Sequence, residues 1–238
     1  MGNDNESTKK NEVSFIKSFI PQKISNKTAL NFFDFLRAIS KINKNKFEQN
    51  LSKNLVSFEN HKKTIEKNNG YIEDQHNYHD MYYGNKTFDF CGCEIISLYN
   101  ALNDLKVEKE ISLPLLIDYF EKDGIVLSGI FGTAPTAIED YLKNEGFETS
   151  STMNEEDFEK ICENSDSIIF TFYVNKNDIF DQVHCVNISK KDRKYFAHNN
   201  GHKCHLKLYD SIKEFINKGN KGLYKGIFLI GIKKKNIQ

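Results

Sequence analysis

Two cysteines separated by one glycine stand at the start of an apolar stretch, and they are the residues of this chain best suited to nucleophilic chemistry. The stretch runs from Cys91 to Leu102 and reads CGCEIISLYNAL. If this stretch is helical, its apolar side chains lie on nearly every face of the helix, which predicts a buried helix over about 93–104. A helix N-terminus carries about half a positive charge, which favours a thiolate over a thiol. The spacing therefore predicts a cysteine placed to attack a carbonyl group.

A histidine and an asparagine follow downstream, in the order that a thiol hydrolase requires. His184 opens a strand-like run, and Asn199 follows the next such run. A histidine in this place can take the thiol proton and later protonate a leaving amine. Asn199 would hold the other imidazole nitrogen, with Asn200 as the alternative if the strand end is displaced by one residue. Both asparagines also read as turn residues, because Asn-Asn-Gly favours a turn.

Three segments of different character must position these residues. Residues 1–12 are polar and charged, which predicts a disordered tail. Residues 13–69 show apolar residues at helical spacing on one face only, and they predict a helical N-terminal extension that docks on another surface. Thr28 or Asn26 is the expected cap of its first helix. Residues 70–238 form the predicted catalytic domain.

The catalytic segment changes from helical to strand-like patterns along its length. Pro114 and Pro135 each stand where a proline is tolerated in the first turn of a helix. The last third alternates apolar and polar residues and includes a hairpin around residues 190–193. Helices first and an antiparallel sheet last predict an α+β fold. The predicted strands cover about 147–152, 167–174, 183–188, 194–198 and 224–233.

The run Gly92–Ile96, followed by Leu98–Leu102, resembles the nucleophile helix of bacterial papain-like cysteine peptidases of the double-glycine, bacteriocin-processing type. The resemblance covers about residues 80–235. It implies a papain-like fold, with the nucleophile helix packed on the C-terminal antiparallel sheet. It also implies cleavage of an amide bond in a peptide or protein through an acyl-enzyme, often after a double glycine in a leader peptide.

The same resemblance implies a role for each candidate residue. Cys93 is the expected nucleophile, His184 the general base and Asn199 the residue that orients the base. Cys91 would then lie one turn before the helix, as a loop residue, a resolving thiol or a bystander, although which of the two cysteines is the nucleophile stays open. Both cysteines could also be small buried apolar residues. The N-terminal helices would either recognise a leader peptide or cover the cleft.

The donor that would stabilise a tetrahedral oxyanion is the weakest part of this pattern. Papain-like enzymes place a glutamine about six positions before the nucleophile, and Thr87 occupies that position relative to Cys93. The side-chain amide of Asn85 is the candidate donor, with Gln75 as the upstream alternative. Loss of such a donor costs about 3 kcal/mol in the activation barrier.

A zinc site is the rival interpretation of the same region. The run from His198 to His205 holds four nitrogen or sulfur ligands, and His76, His79 and the two cysteines near residue 92 could add more. Structural zinc usually takes its ligands as two separated pairs, and Cys-x-Cys is tighter than the usual spacing. We therefore expect neither a metal nor another cofactor.

Composition narrows the possible partners and the compartment. Among 238 residues, Lys+Arg and Asp+Glu both number 33, so no net charge draws the chain to nucleic acid. No run is long enough for a transmembrane helix, and no apolar signal segment opens the chain. Five cysteines without a regular spacing favour a reducing compartment, so the cytoplasm is expected. The expected partner is a peptide or protein, and the oligomeric state stays open.

Two other function classes fit the same residues. The same thiol chemistry with an amine acceptor gives an acyltransferase or transglutaminase, and with glutamine as substrate it gives a deamidase. The alternative without catalysis is a degenerate papain-like module that binds a peptide or protein, in which Cys93 would be unreactive.

Overall fold

The computed structural model describes residues 25–40, 44–108, 111–177, 183–201 and 208–234. The predicted tail and the first part of the predicted extension lie outside these ranges. The α-helices within them are α1 (Asn26–Ile39), α2 (Lys44–Lys67), α3 (Phe88–Cys91), α4 (Cys93–Leu105), α5 (Leu113–Asp123), α6 (Pro135–Asn144), α7 (Phe158–Glu163) and α8 (Ile212–Lys218). The strands are β1 (Tyr82–Tyr83), β2 (Lys86–Thr87), β3 (Glu148–Thr152), β4 (Ser167–Tyr173), β5 (Val183–Lys191), β6 (Lys194–His198), β7 (Leu208–Tyr209) and β8 (Lys225–Lys233).

One six-stranded antiparallel sheet organises the C-terminal half in the order β3-β8-β4-β5-β6-β7. The predicted hairpin is confirmed, because β5 and β6 pair around a two-residue turn. Asp192 and Arg193 in this turn both have positive φ, as a tight hairpin turn requires. Helices that precede an antiparallel sheet make the fold α+β, as the sequence predicted.

The two faces of the sheet carry separate apolar clusters. Helix α4 packs on one face against β4 and β5, where Ile169 and Cys185 join its core. Helices α7 and α8 cover the other face, where Phe172 and Val186 are buried. Successive strand residues point to opposite faces, so the alternation along β4 and β5 assigns each side chain to one cluster.

The helices of the predicted extension pack on the rest of the molecule. The cap of α1 is Ser25, whose side chain accepts from the Thr28 backbone N–H, so the prediction of Asn26 or Thr28 as the cap is wrong. Asn26 instead donates to two distant carbonyls. Helix α2 packs on α5, and its Asn54 exchanges two hydrogen bonds with the backbone of Tyr82 in β1. No helix of the described residues combines the length and the apolar character needed to cross a bilayer.

Candidate functional site

A glycine joins two helices at the point where the sequence predicted the nucleophile. Cys91 ends the four-residue helix α3, rather than lying in a loop, and Cys93 begins α4. A Cβ on Gly92 would lie 2.6 Å from the backbone oxygen and the ring of Phe88, so only glycine fits between the two helices. The Cys91 thiol donates to the Thr87 carbonyl oxygen at 3.4 Å. The sequence thus places Cys93 at a helix start, as expected.

The Cys93 thiol is buried and protonated. Its Sγ donates to the Glu94 carboxylate at 3.1 Å, and the Cys185 backbone N–H donates to the sulfur. Burial, followed by the charge of Glu94, raises the pKa of Cys93 well above its usual range. A helix dipole stabilises a nearby anion by only about 0.3–1 kcal/mol. The desolvation of a buried anion outweighs this effect, so burial at the helix start opposes the predicted thiolate.

Glu94 is a site residue that the sequence analysis missed. Its carboxyl is buried, and burial raises its pKa to about 7, although the Cys93 thiol and backbone N–H groups donate to it. Gly132 lies against it with φ of +66°, and a Cβ there would be 2.9 Å from Glu94 Oε2. The one indication in the sequence was a glutamate in the first turn of an otherwise apolar helix.

We expect Glu94→Gln to flatten the pH dependence of stability between about pH 4.5 and pH 7. Because the pKa is about 7 in the folded protein and 4.5 in the reference state, the folded protein holds the proton longer than the unfolded chain. Stability from this group is therefore complete below pH 4.5 and is lost as pH rises to 7, by about 2–3 kcal/mol. Urea unfolding at a series of pH values measures this. The exposed Glu59→Gln is the control, and an unchanged slope in Glu94→Gln would contradict the assignment.

His184 is a neutral imidazole with one nitrogen engaged. Its Nε2 lies 2.7 Å from the Asn199 carbonyl oxygen, which only accepts, so Nε2 carries the proton. The other nitrogen, Nδ1, is buried and meets no donor among the described residues. Burial lowers the pKa of His184. The ring packs edge to face against Phe172, 5.8 Å between centroids.

The sheet separates His184 from Cys93. His184 pairs with Phe172 across β4 and β5, and both lie on the face covered by α7 and α8. The next residue, Cys185, points to the face covered by α4 and shares its cluster with Cys93. The structure therefore does not bring the predicted nucleophile and base together. The sequence pattern placed both residues at element starts, but it did not fix which face of β5 the histidine occupies.

Asn199 contacts His184, although not through the predicted group. Its backbone carbonyl accepts from the imidazole, whereas its side chain exchanges hydrogen bonds with Gln75. Asn199 has a φ of +58°, which turns the chain out of β6 and brings the carbonyl towards the ring. The alternative, Asn200, accepts from the Tyr224 hydroxyl at 3.3 Å. The orienting group is therefore a main-chain oxygen.

Neither candidate oxyanion donor has a hydrogen bond to Cys93 among the contacts of the described residues. Asn85 is exposed in the β1–β2 turn, where its backbone N–H donates to the Ser128 carbonyl oxygen. Gln75 is buried, and its Nε2 donates to the Asp89 carbonyl oxygen at 2.8 Å. Gln75 thus links the segment before the cysteines to Asn199 and, through it, to His184.

The rival metal site finds no support in the part of the chain that is described. Within it, no three or more His, Cys, Asp and Glu side chains cluster so as to hold an ion. His202, Cys204 and His205 of the proposed ligand set lie outside the described residues.

Comparison of the chain with protein-family models, with curated proteins and with solved structures finds no match.

Proposed function

We propose that the chain is a papain-like module that recognises a peptide or protein without using Cys93 as a nucleophile. One observation carries this proposal: the Cys93 thiol is bound to Glu94 on one face of the sheet, and His184 lies on the other. The order of elements supports the papain-like part. A central helix begins at a cysteine, and the following antiparallel sheet has His184 at the start of one strand and Asn199 after the next.

His184 is the proposed point of contact with the ligand. Its Nδ1 is a buried lone-pair acceptor to which no described residue donates, so a ligand N–H would reach it once the groups that cover the ring move aside. A buried acceptor without a donor costs about 1–3 kcal/mol. An N–H group of a bound peptide would remove this cost. The contact from Asn199 fixes the ring so that Nδ1 stays available for such a donor.

Peptide selection tests this proposal directly. A displayed library of random twelve-residue peptides would be selected against the full chain, and an enriched peptide labelled for fluorescence anisotropy. We expect Cys93→Ser to bind it within twofold of wild type, and His184→Phe to bind at least about tenfold more weakly. Urea unfolding of both variants controls for folding. A failure to enrich any peptide, or loss of binding in Cys93→Ser, contradicts the proposal.

A thiol hydrolase is the second candidate. The tautomer of His184, with its proton on Nε2 and a lone pair on Nδ1, favours it. A general base needs one nitrogen held by an orienting group and the other free to accept a proton, and this is the arrangement of Nε2 and Nδ1. Catalysis would require the ring to reach the Cys93 face, as a one-residue shift at the start of β5 would allow. Peptidase, acyltransferase and deamidase activities share this requirement. The alkylation rate of Cys93 separates this candidate from the first.

We propose a reducing, cytoplasmic environment, which the odd number of cysteines supports. The cysteines in the described ranges, Cys91, Cys93, Cys162 and Cys185, are free and buried.

A further inference from the structure

A second polar cluster lies near the other end of α4, where the sheet meets the segment before Gln75. Asp104 is in the last turn of α4, Ser189 in β5, and His198 is the last residue of β6. Glu73 reaches the cluster from the segment Tyr71–Gln75, hereafter the strap. Ser189 Oγ lies 2.6 Å from His198 Nε2, and His198 Nδ1 lies 2.7 Å from Glu73 Oε1.

The hydrogen bonds of Asp104 decide where the Ser189 proton lies. The hydroxyls of Tyr71 and Ser189 donate to Oδ1 at 2.6 and 2.7 Å. Ser167 and Asn187 donate to Oδ2 at 2.7 and 3.2 Å. An ionised carboxylate has no proton to donate, and Ser189 Oγ lies 2.7 Å from Asp104 Oδ1, so the single proton of the Ser189 hydroxyl points to Asp104.

The charge of His198 follows from this assignment. With its proton committed to Asp104, Ser189 Oγ can only accept from His198, so Nε2 carries a proton. Nδ1 faces the Glu73 carboxylate and carries a proton as well. The ring is therefore an imidazolium, although the serine, histidine and glutamate have the spacing of a catalytic triad. Tyr71 covers it, with parallel rings 4.0 Å apart.

We propose that protonated His198 is a positioning residue that fastens the strap to the sheet and thereby holds Gln75 against Asn199. Two contacts carry this coupling. The Asn199 backbone N–H donates to Glu73 Oε2 at 3.4 Å, and the Gln75 backbone N–H donates to Asn199 Oδ1 at 2.9 Å. The same Asn199 holds His184 through its carbonyl. We call the contacts of Glu73 and Gln75 with His198 and Asn199 the clamp. Its functional role rests on the proposed ligand contact at His184.

Carboxylates lie around the His198 ring on two sides. Glu73 faces it from the strap, and Asp104 faces the bridging Ser189 from α4. From β5 the contact is the neutral Ser189 hydroxyl, and Tyr71 contributes an uncharged ring.

Histidine NMR on the full chain tests the charge. With ¹⁵N-labelled histidine at about pH 6, we expect both His198 ring nitrogens to show bound protons. Glu73→Gln, which keeps an acceptor oxygen but removes the charge, should remove one of these two bound protons at the same pH. Asp80→Asn is the matched control, since it removes the carboxylate from His61 instead. A neutral ring with a bare Nε2 would overturn the proposal and would make Ser189 the donor to the ring.

Hydrogen exchange tests the coupling. We expect the protection factor of the Gln75 amide to fall about tenfold in Glu73→Gln. Unchanged protection in this variant would overturn the positioning role. Neither measurement uses a ligand, so failure of peptide binding alone refutes the proposed function and leaves the clamp standing.

Discussion

Cys93 should react with iodoacetamide at pH 7.5 at least about 100-fold more slowly in the folded chain than after unfolding in urea. The thiolate is the reacting form, and each unit by which the pKa rises removes about nine tenths of it. Burial and the neighbouring Glu94 carboxylate raise this pKa well above its usual range. Limited access adds to the effect, because the residue is 7% exposed. Mass spectrometry of the digested protein gives the rate for each cysteine separately.

The control and the opposing outcome come from the same measurement. Cys162 is also buried, which raises its pKa to about 12, so it should react as slowly as Cys93. Unlike Cys93, it has no part in either candidate function. A Cys93 that reacts much faster than Cys162, and that loses this advantage in His184→Ala, would contradict the non-catalytic proposal. It would favour the thiol hydrolase, since an adjacent imidazole would then be holding the thiolate.

Asp104→Ala should lower the free energy of unfolding by about 3–5 kcal/mol. The substitution removes the acceptor for four side-chain donors at once. Among these, Ser167 and Asn187 are fully buried, so water does not replace the lost acceptor. It also removes the charge that faces the cluster around His198. Urea unfolding at pH 7 measures the change.

Two variants set the scale for this result. Glu59→Gln removes one carboxylate of an exposed ion pair with Lys62 and should change stability by less than about 0.5 kcal/mol. Asp104→Asn keeps one acceptor oxygen and should cost less than the alanine variant. A loss below about 1 kcal/mol in Asp104→Ala would show that the cluster contributes little, and it would remove the basis for the proton assignment at Ser189.

Local patterns in the sequence were sufficient for the main helices and strands and their order, although not for the short helix α3, where a loop was expected. The apolar residues after Gly92 predicted a buried helix, and α4 begins at Cys93 as expected. The alternation near residue 190 predicted the β5–β6 hairpin, and the composition of the last third predicted an antiparallel sheet. These features depend on neighbours within a few positions, through helix and strand periodicity and turn propensity.

The contacts that decide the chemistry are long-range, and only the tertiary structure fixes them. Which face of β5 carries His184 depends on its pairing with β4, and a change of one position would have put the ring on the side of Cys93. The helix start at Cys93, and with it the helix dipole, can be predicted from the sequence. The charge state of Cys93 depends instead on the burial of α4 against the sheet, which the sequence does not show. The clamp joins Glu73 to His198 across 125 positions. A sequence therefore supplies the reactive groups, whereas folding determines which of them meet and which stay protonated.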